Sequence, residues 1–493
     1  MKSNFYKASS LFVLASLVSL SVVAQTLKLA DIFTNDMVIQ ADKEIKVWGK
    51  AEPNTPIKVS LGNKSTSVKS DQEGKWKAIL PKMKYGGPHT LEVNGKEKRS
   101  FTNVMVGEVW FCAGQSNMRW FVRDAKNPKE EIAAANHSNI RFFTVPLSGS
   151  EFPQEHFTQK TKWEVCTPKS VAQKTAVGYY FGRELQEKLK GVAIGLIDIS
   201  YGGASISTFM DAETVKNSKS IQGIKKRNKN FLAAYERQMD EWRKDTSKRP
   251  PHYPEQYLGS FCYNDMYHPI IPFSVRGTIW YQGETNEGEP DPYVIWFGEY
   301  IEMMRDHFEN EEMPFYYVQL AGFAGTKGSE MKYPSWATFR LAQAKCLKYE
   351  NTGMATAYDL GEPNEIHPKN KQEVGRRLSL LALRDTYGKK VIAQGPTYKS
   401  YKVNGDKVVL EFSNVAKRLV STTATSSVKG FMYEITPGTY EAVEAKIIGK
   451  NKVELPLKAA TLYYSYENYA AIDLYNSERL PVYPFKVAIK PSL

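Results

Sequence analysis

The stretch GEVWFCAGQSNM at residues 107–118 decides the predicted fold. An apolar run from Val104 to Cys112 leads into it, and the polar sequence GQSNM at Gly114–Met118 ends it. Apolar runs of this length, closed by glycine and polar residues, are typical of strands that are buried on both faces. Side chains that follow such a strand lie at the carboxyl edge of a parallel sheet, where ligands bind. The sequence therefore predicts a functional turn at Gly114–Met118.

Two further stretches repeat this arrangement. The sequence WYQGETN at Trp280–Asn286 follows the apolar residues Val275–Ile279, and NEIHP at Asn364–Pro368 follows the run Met354–Leu360. A serine, an amide and a histidine would thus meet at one edge of a sheet. Acyl transfer needs these groups, because a serine hydroxyl requires a base and the reacting carbonyl oxygen requires a hydrogen-bond donor.

The pattern of the central region predicts an α/β fold with a doubly wound parallel sheet. Apolar strands alternate there with amphipathic helical segments, as in sheets that are covered by helices on both faces. The predicted strands are Val104–Cys112, Val192–Ile199, Val275–Trp280, Phe315–Leu320 and Met354–Leu360. The predicted helices are Ala176–Lys190, Tyr293–Phe308, Trp336–Leu347 and Val374–Leu383.

Both flanking regions have the pattern of antiparallel β-structure. Short runs of alternating apolar and polar residues are separated by Gly, Asn and Pro clusters, which predicts small β-sandwich modules. We expect an N-terminal β-sandwich module at 25–100, a catalytic domain at 101–390 with a helical insertion at 212–257, and a C-terminal β module at 391–493.

The first residues predict export. Lys2 and Lys7 precede an apolar segment from Leu11 to Val23, and Ala24 supplies a small residue before the cut. This is the pattern of a secretory signal peptide, here at 1–24. We therefore expect a periplasmic or extracellular protein. Later apolar segments are too short for a membrane span, which takes about 20 residues.

Charge and cysteine content exclude some classes of function. The 493-residue chain has a formal net charge of +13, with one dense basic patch from Lys216 to Lys248. In an exported protein this patch indicates a solvated helical face rather than a nucleic acid site, and attraction to acidic glycans remains an alternative. The cysteines fit no metal-ligand spacing, and we expect buried thiols rather than disulfides. They are Cys112, Cys166, Cys262 and Cys346.

Ser116 is the candidate nucleophile. It stands after a strand and before a helix-like segment that begins near Asn117, so the positive end of a helix would face the serine oxygen. The alternative is that Ser116 only caps this helix. The neighbouring Gly114, Gln115 and Asn117 favour a nucleophile, because capping does not need three further compact polar groups.

His367 is the candidate base. Among the seven histidines it alone lies just past a strand end in a loop that opens onto a helix. Pro368 would fix the backbone beside the ring. His268, in the segment YNDMYHP, is the alternative base because this segment ends near the same sheet.

Candidate donors for an oxyanion hole follow two other strands. The amides of Gln282 and Asn286 are neutral donors of the kind that a developing negative oxygen requires. The sequence YGG at Tyr201–Gly203 follows the strand Val192–Ile199 and can offer a free backbone N–H, from Gly202 or Gly203.

Together these segments resemble the sialate O-acetylesterase-like family, a group of SGNH-type carbohydrate O-acetylesterases. The matching sequences occur in the order GEVWFCAGQSNM, YGG, YNDMYHP, WYQGETN and DLGEPNEIHPKNKQEVGRRL. The resemblance implies an SGNH-hydrolase-like sheet, with Ser116 as nucleophile and His367 as base. It also implies an oxyanion hole formed by the Ser116 N–H, a Gly202 or Gly203 N–H and the Gln282 side chain. It implies neither a metal nor a cofactor.

Three departures from the family pattern bear on the site. Relatives often place an Asp two or three residues before the histidine, where this chain has Asn364 and Glu365. Either Glu365 or a backbone carbonyl would then orient the ring, which makes a triad or a dyad. The glycine block continues as ASISTF at 204–209 in place of Thr, Glu and Trp, and Arg119 stands where an acidic residue is common.

The predicted substrate is an O-acetylated sugar or glycan. Sialic acid is the first expectation, with Arg119 or a lysine of the insertion meeting its carboxylate. Acetylated xylan or xyloglucan is the alternative, with Trp120 or Trp280 stacking on the sugar ring. A glycan-binding protein with a silent catalytic domain is a third interpretation, which the complete Ser, His and Gln set disfavours.

Overall fold

The computed structural model describes residues 27–330, 334–423, 425–470 and 472–490 of the chain. The predicted signal peptide at 1–24 lies outside the described residues. Within them the chain forms an N-terminal β module, a central α/β sheet and a C-terminal β module. The predicted fold class is confirmed.

The N-terminal module is built from short strands in which buried apolar residues alternate with exposed polar ones. Its strands are β1 (Lys28–Leu29), β2 (Val38–Gln40), β3 (Ile45–Lys50), β4 (Pro56–Leu61), β5 (Lys64–Lys69), β6 (Lys75–Leu80), β7 (Gly86–Asn94) and β8 (Lys98–Gly114). One sheet has the order β1-β3-β6, and the other joins β5, β4, β7, β8 and β2. In β6 every second side chain is buried, which gives each sheet one apolar face.

Strand β8 is shared between this module and the central sheet. Its first half pairs antiparallel with β7, between Lys98 and Val106. Its second half pairs in parallel with the strand that begins at Ile194, from Glu108 to Gly114. The domain boundary that the sequence predicted at residue 100 therefore falls inside one continuous strand.

A seven-stranded sheet carries the candidate site. Its further strands, with a small hairpin, are β9 (His137–Thr144), β10 (Trp163–Cys166), β11 (Ile194–Ser200), β12 (Gly277–Tyr281), β13 (Phe315–Gln319), β14 (Gly325–Thr326), β15 (Ser329–Glu330) and β16 (Thr352–Thr356). The order is β10-β9-β11-β8-β12-β13-β16, and β14 pairs only with β15. All neighbours are parallel except the edge strand β10.

The five predicted strands of this sheet are present, but two details differ. The strand that was predicted to reach Leu360 ends at Thr356, and Tyr358–Leu360 forms a 3-10 turn. The sequence analysis did not predict β9 and β10, because β9 begins with the polar residues HSN and β10 has only four residues.

Helices cover both faces of the sheet. They are α1 (Ser116–Arg119), α2 (Pro128–Ala134), α3 (Pro168–Val171), α4 (Ala176–Lys188), α5 (Ala212–Asn217), α6 (Ile221–Lys244), α7 (Pro290–His307), α8 (Ser335–Lys345) and α9 (Lys371–Leu381). Successive side chains of β8 point to opposite faces. Trp110 accordingly packs against Phe181 of α4, while Phe111 packs against Phe308 at the end of α7.

Helices α4 and α9 lie in close contact, which fixes where α9 begins. A Cβ at Gly375 would lie 2.6 Å from the Tyr180 Cβ and 2.8 Å from the Phe181 backbone nitrogen, so only glycine permits this approach. Asn370 caps α9, since its side chain accepts the Glu373 N–H at 3.3 Å. The loop before α9, which contains His367, is therefore held at its carboxyl end.

The insertion predicted at 212–257 contains α5, α6 and a 3-10 turn at Glu255–Tyr257. Only Ile224 and Arg227 of α6 are buried, so most of its basic side chains reach solvent. Arg227 pairs with Glu289 in the loop after β12. The insertion is thereby attached to a loop at the carboxyl edge of the sheet.

The C-terminal module is an antiparallel β structure. Its strands are β17 (Thr397–Asn404), β18 (Lys407–Ser413), β19 (Leu419–Ser421), β20 (Ser427–Thr436), β21 (Thr439–Ile447), β22 (Lys452–Pro456), β23 (Thr461–Tyr464), β24 (Leu474–Asn476) and β25 (Phe485–Ala488). Seven of them form a sheet in the order β17-β18-β22-β21-β20-β23-β25, and β19 pairs with β24. The Tyr475 hydroxyl donates to Asp359 at 3.4 Å, and Asp359 pairs with Arg377 of α9 at 2.6 Å. The module therefore braces the segment next to the histidine loop.

All four cysteines lie in the described part of the chain and are buried and unpaired, as the sequence predicts.

Across the described residues, no helix has the length and apolar character that a membrane crossing requires.

Candidate active site

Three loops leave the sheet at the same level. Gly114, the last residue of β8, lies opposite Ser200 of β11 and Tyr281 of β12. Its carbonyl accepts the Tyr201 N–H at 3.0 Å, and the Gln115 N–H donates to the Tyr281 carbonyl at 3.0 Å. Residues that follow Gly114, Ser200 and Tyr281 are therefore placed side by side by the register of the sheet.

Gly114 makes the turn that exposes the serine. Its φ is +136°, and a Cβ there would lie 2.1 Å from the Tyr281 carbonyl oxygen, so no other residue fits. Ser116 is the first residue of the four-residue helix α1, whose cap residue is Gln115. The helix starts one residue earlier than predicted, and Ser116 is not its cap. The Gln115 side chain binds the next loop, because its Oε1 accepts the Gly283 and Thr285 N–H groups, each at 3.3 Å.

Ser116 and His367 form a hydrogen bond. The Ser116 Oγ lies 2.8 Å from Nε2 of the His367 ring. Trp120 stacks on this ring, with centroids 4.9 Å apart and an angle of 18° between the planes. Burial lowers the pKa of His367, and the positive charge of Lys371 lowers it further, against an opposing effect of Glu365. The ring is thus favoured in its neutral form, which can accept the serine proton.

Glu365 lies on the other side of the histidine ring, at a long distance. Its Oε1 is 3.4 Å from His367 Nδ1, and the same oxygen accepts the His367 backbone N–H at 2.9 Å. The Glu365 side chain is 47% exposed. The geometry places a carboxylate where a triad acid would stand, but the short hydrogen bond goes to the backbone and the group is solvated.

Free backbone donors surround the serine turn. Among the described residues we find no acceptor for the N–H groups of Ser116, Gly202 and Gly203. The peptide of Gly203 is fixed from its other side, because its carbonyl accepts the Thr285 hydroxyl at 2.7 Å. Neutral N–H groups of this kind can stabilise an oxyanion. This agrees with the expected Gly202 or Gly203 donor.

The side-chain amides of Gln282 and Asn286 donate hydrogen bonds to neighbouring protein groups, which changes the role expected of Gln282 in an oxyanion hole. Gln282 Nε2 donates to the Ala204 carbonyl at 3.0 Å and to Asn286 Oδ1 at 2.7 Å. Asn286 Nδ2 in turn donates to Glu289 at 3.1 Å, and its Oδ1 accepts the Ile206 N–H at 3.1 Å. Both hydrogens of the Gln282 amide are therefore used to hold the turn after β11. In this arrangement Gln282 offers no free donor and positions the glycine turn instead, whereas Asn286 uses one of its two Nδ2 hydrogens, on Glu289.

The two tryptophans that were predicted to bind substrate have different surroundings. Trp280 is fully buried between Phe209 and Tyr300, because its position on β12 points to the face that α7 covers. The prediction that it stacks on a sugar is wrong. Trp120 is half-buried and covers the His367 ring rather than facing only solvent.

Arg119 and His268 complete the set of sequence candidates. Arg119 Nη1 donates to the Ser200 carbonyl at 3.4 Å, so this side chain lies over the end of β11 and is half-buried. His268 lies in a 3-10 turn before β12, and its Nδ1 contacts the Gln154 carbonyl oxygen at 2.7 Å. It precedes the strand whose carboxyl end faces the site, and His367 is the histidine that reaches Ser116.

Lys371 was not singled out from the sequence, although it lies within the motif that contains His367. It is fully buried, and its Nζ donates to Asn117 Oδ1. Asn117 Nδ2 donates to Glu284 Oε1 at 2.5 Å and to the Ile366 carbonyl at 3.0 Å. Burial raises the pKa of Glu284 and lowers that of Lys371 to about 7. A charged residue at the first position of a helix gave no sign in the sequence that it would be buried.

Comparisons with known proteins identify a family of carbohydrate esterases. A family model described as "Carbohydrate esterase, sialic acid-specific acetylesterase" matches residues 106–383. Sialate O-acetylesterase from Mus musculus is 29% identical over 424 residues, which is 76% of each chain. The Homo sapiens sialate O-acetylesterase is 28% identical over 422 residues, 78% of this chain and 76% of that one.

A solved structure shows the same similarity over almost the whole chain. The carbohydrate acetylesterase from Xanthomonas citri is 32% identical, with a TM-score of 0.81, and the match covers 93% of this chain and 99% of that one. The family model spans more than half of the chain and includes Ser116 and His367. The chain therefore belongs to the sialic acid-specific acetylesterase family of carbohydrate esterases and is a carboxylic ester hydrolase.

Proposed function

We propose that this protein is an exported serine esterase that removes O-acetyl groups from a carbohydrate, with Ser116 as nucleophile and His367 as base. The hydrogen bond of 2.8 Å between Ser116 Oγ and His367 Nε2 carries the proposal. A serine becomes an effective nucleophile when a base takes its proton, and this pair has the required distance. The printed names of the relatives, sialate O-acetylesterase and carbohydrate acetylesterase, support the acetyl ester as the substrate bond.

The first half of the reaction transfers the acetyl group to the enzyme. Ser116 Oγ attacks the carbonyl carbon while His367 Nε2 takes the serine proton, and the carbonyl oxygen becomes an oxyanion. The free N–H groups of Ser116 and of Gly202 or Gly203 are the available donors for that oxygen. The bond between carbonyl carbon and sugar oxygen then breaks, and His367 protonates the leaving oxygen.

The second half releases acetate. A water molecule attacks the acetyl carbon, and His367 takes a proton from it. The bond to Ser116 Oγ breaks as the second tetrahedral intermediate collapses, and His367 returns the proton to the serine. Because His367 must be neutral to begin each half, activity should fall as the pH drops through its pKa, which lies below the ordinary histidine value.

Sialic acid is the substrate that we propose first. Arg119 is the sequence-predicted partner for a carboxylate, and its half-buried position over the end of β11 lies next to the glycine turn. Acetylated xylan or xyloglucan is the second candidate, because the half-buried Trp120 ring lies next to the catalytic pair, in contact with His367. The silent glycan-binding alternative is disfavoured, since the Ser116–His367 pair is fully assembled.

Acetate release separates these candidates. The purified protein is incubated with 9-O-acetylated sialic acid, acetylated xylan and acetylated xyloglucan, and free acetate is measured over time with Ser116→Ala as the matched control. We expect the largest kcat/KM on the sialic acid. A larger value on either polysaccharide would contradict sialate specificity. Absence of acetate from all three, together with no turnover of 4-nitrophenyl acetate, would contradict the esterase assignment of this site.

Export has a separate test. The proposed cleavage after residue 24 predicts that protein secreted from the native host begins at Gln25. N-terminal sequencing of the mature protein checks this, and an intact N-terminus that retains Leu11–Val23 would contradict it.

A further inference from the structure

Lys371 is a buried amine with no carboxylate at ion-pair distance among the described residues. Its exposure is 0%, and it forms no ion pair with any side chain in the described residues. Its Nζ donates to Asn117 Oδ1 and lies 5.4 Å from the ring centroid of Tyr281 and 5.7 Å from that of Trp120. A charge is among the costliest groups to bury without a counter-ion. Such a group in the middle of an active site calls for a functional reason.

The first consequence of this position concerns the Asn117 amide. Because Lys371 occupies Oδ1, the amide must point Nδ2 the other way, toward the Ile366 carbonyl at 3.0 Å and Glu284 Oε1 at 2.5 Å. Asn117 directly follows Ser116, and Ile366 directly precedes His367. The Asn117 amide therefore links the short helix α1, which begins at Ser116, to the backbone directly before His367. Without Lys371, Asn117 Oδ1 would lose its donor, and the amide would be held from its Nδ2 side alone, by the Ile366 carbonyl and Glu284.

The second consequence concerns the charge behind the histidine. The Trp120 ring has His367 stacked on it at 4.9 Å and the Lys371 amine over it at 5.7 Å, and the lysine charge lowers the pKa of the imidazole. A nearby positive charge disfavours a second positive charge on the ring. Burial holds the pKa of Lys371 at about 7, so the lysine is protonated in the acid range where His367 takes up its proton.

Other charged groups act on the same pair. Glu365 lies 3.4 Å from His367 Nδ1 and favours the protonated ring, while Glu284, Glu365 and Glu362 favour the charged form of Lys371. Lys371 therefore lowers the pKa of His367, whereas Glu365 raises it. The lysine is held inside the protein, whereas the Glu365 side chain is 47% exposed and is screened by water.

We propose that Lys371 is a positioning residue of the hydrolytic site: it orients the Asn117 amide that ties the histidine loop to the nucleophile, and it keeps the base neutral. This proposal rests on the proposed function, in which His367 acts as the base. Lys371 takes no part in bond making, and it acts on the reaction only through Asn117 and His367.

Three variants test the two parts of this role. Lys371→Met removes both the donor and the charge, and Lys371→Gln keeps a donor for Asn117 Oδ1 but removes the charge. Lys369→Met removes an exposed lysine two residues away and is the matched control. For each protein, kcat and KM on 4-nitrophenyl acetate are measured from pH 5 to pH 9, together with the melting temperature.

We expect the acid limb of kcat/KM to move to higher pH by at least about 0.5 unit in both Lys371 variants, because the charge that opposes protonation is gone. At the pH optimum kcat should fall about tenfold or more in Lys371→Met and less in Lys371→Gln, which retains the amide's partner. The melting temperature of Lys371→Met should change little, since removal of a buried charge stabilises the fold while Asn117 Oδ1 loses its donor. Lys369→Met should match the wild type in every measurement.

An acid limb that stays at the wild-type pH in both Lys371 variants would overturn the charge role. Equal kcat values for wild type and Lys371→Met at the optimum would overturn the positioning role. If Lys371→Met fails to fold, Lys371→Gln decides both points. None of these outcomes resembles failure of the proposed function itself, which would appear as full activity of Ser116→Ala.

Discussion

Ser116 and His367 meet at 2.8 Å, but the chain holds them in different ways. The serine follows β8, which has β11 and β12 as parallel neighbours, and backbone hydrogen bonds fix the turn at Gly114. The histidine follows β16, the edge strand of the sheet, in a loop whose residues 363–365 are exposed. That loop is held by side chains, chiefly the Trp120 ring and the Asn117 amide, and by the hydrogen bond from the Lys126 N–H to the Lys369 carbonyl at 2.9 Å.

This contrast predicts how substitutions on each side of the site should act. On the Ser116 side the backbone of three strands sets the geometry, so we expect that a side chain can be removed without displacing its neighbours. On the histidine side, contacts of side chains set the position of the ring, while backbone hydrogen bonds hold the loop at its ends, from Ala324 to Pro363 and from Lys126 to Lys369. Substitutions there should change the protonation and position of His367 before they change the fold.

The largest effect is expected on the nucleophile side. Ser116→Ala should lower kcat by roughly 10³-fold or more, because only binding and oxyanion stabilisation then remain. The melting temperature should be unchanged, since the side chain is not part of what holds the turn. Gly114→Ala is the contrasting variant and should lose folded protein, because its Cβ would collide with the Tyr281 carbonyl. More than about a tenth of wild-type turnover in Ser116→Ala would contradict its assignment as nucleophile.

An intermediate effect is expected where a side chain supports the backbone donors. Gln282→Ala removes two hydrogen bonds that hold the turn after β11, to Ala204 and Asn286. We expect kcat to fall about 10- to 100-fold as the glycine donors shift, since one misplaced donor can cost that much. The melting temperature should fall as well, because buried acceptors lose their partner. A larger loss of kcat at an unchanged melting temperature would show that Gln282 donates directly to the oxyanion.

The smallest effect is expected at Glu365. Glu365→Gln should lower kcat by less than about tenfold, or 1.4 kcal/mol, because the Nδ1 contact is long and solvated. Glu365 raises the pKa of His367, so its removal should move the acid limb of the pH profile to lower pH, opposite to Lys371→Met. Asn364→Ala, at an exposed neighbouring position, is the control and should change neither kcat nor the pH of the acid limb. A loss near 10⁴-fold would instead identify Glu365 as the acid of a full triad.

The sequence predicted the parts of the site that depend on strand ends. Apolar runs closed by GQSNM, WYQGETN and NEIHP placed Ser116 and His367 at one edge, and the structure brings the two together. It could not predict the interior orientation of Trp280, because a strand that is buried on both faces shows no alternation to separate one face from the other. It also missed the burial of Lys371, since a helix-start lysine is usually solvated and only the tertiary fold covers it.

The sequence also could not predict which group is free to donate a hydrogen bond to an oxyanion. Gln282 and Gly203 both follow strand ends, and their residue types allow either one to donate. The choice depends on how far each side chain reaches and on what else it meets, here the Ala204 carbonyl and Asn286. Hydrogen-bond competition of this kind exists only after folding.

Because it shares strand β8 with the central sheet, the N-terminal module is not joined to the rest of the protein by a linker. A module that is joined by a linker can be exchanged, duplicated or lost with little effect on its neighbour. Here the same seventeen residues form the last strand of the module and the central strand that ends at the nucleophile turn. Removal of residues 27–97 would leave the first half of β8 as an unpaired edge, a template for aggregation. Because β8 belongs to both, we expect the module and the central sheet to unfold as one cooperative unit.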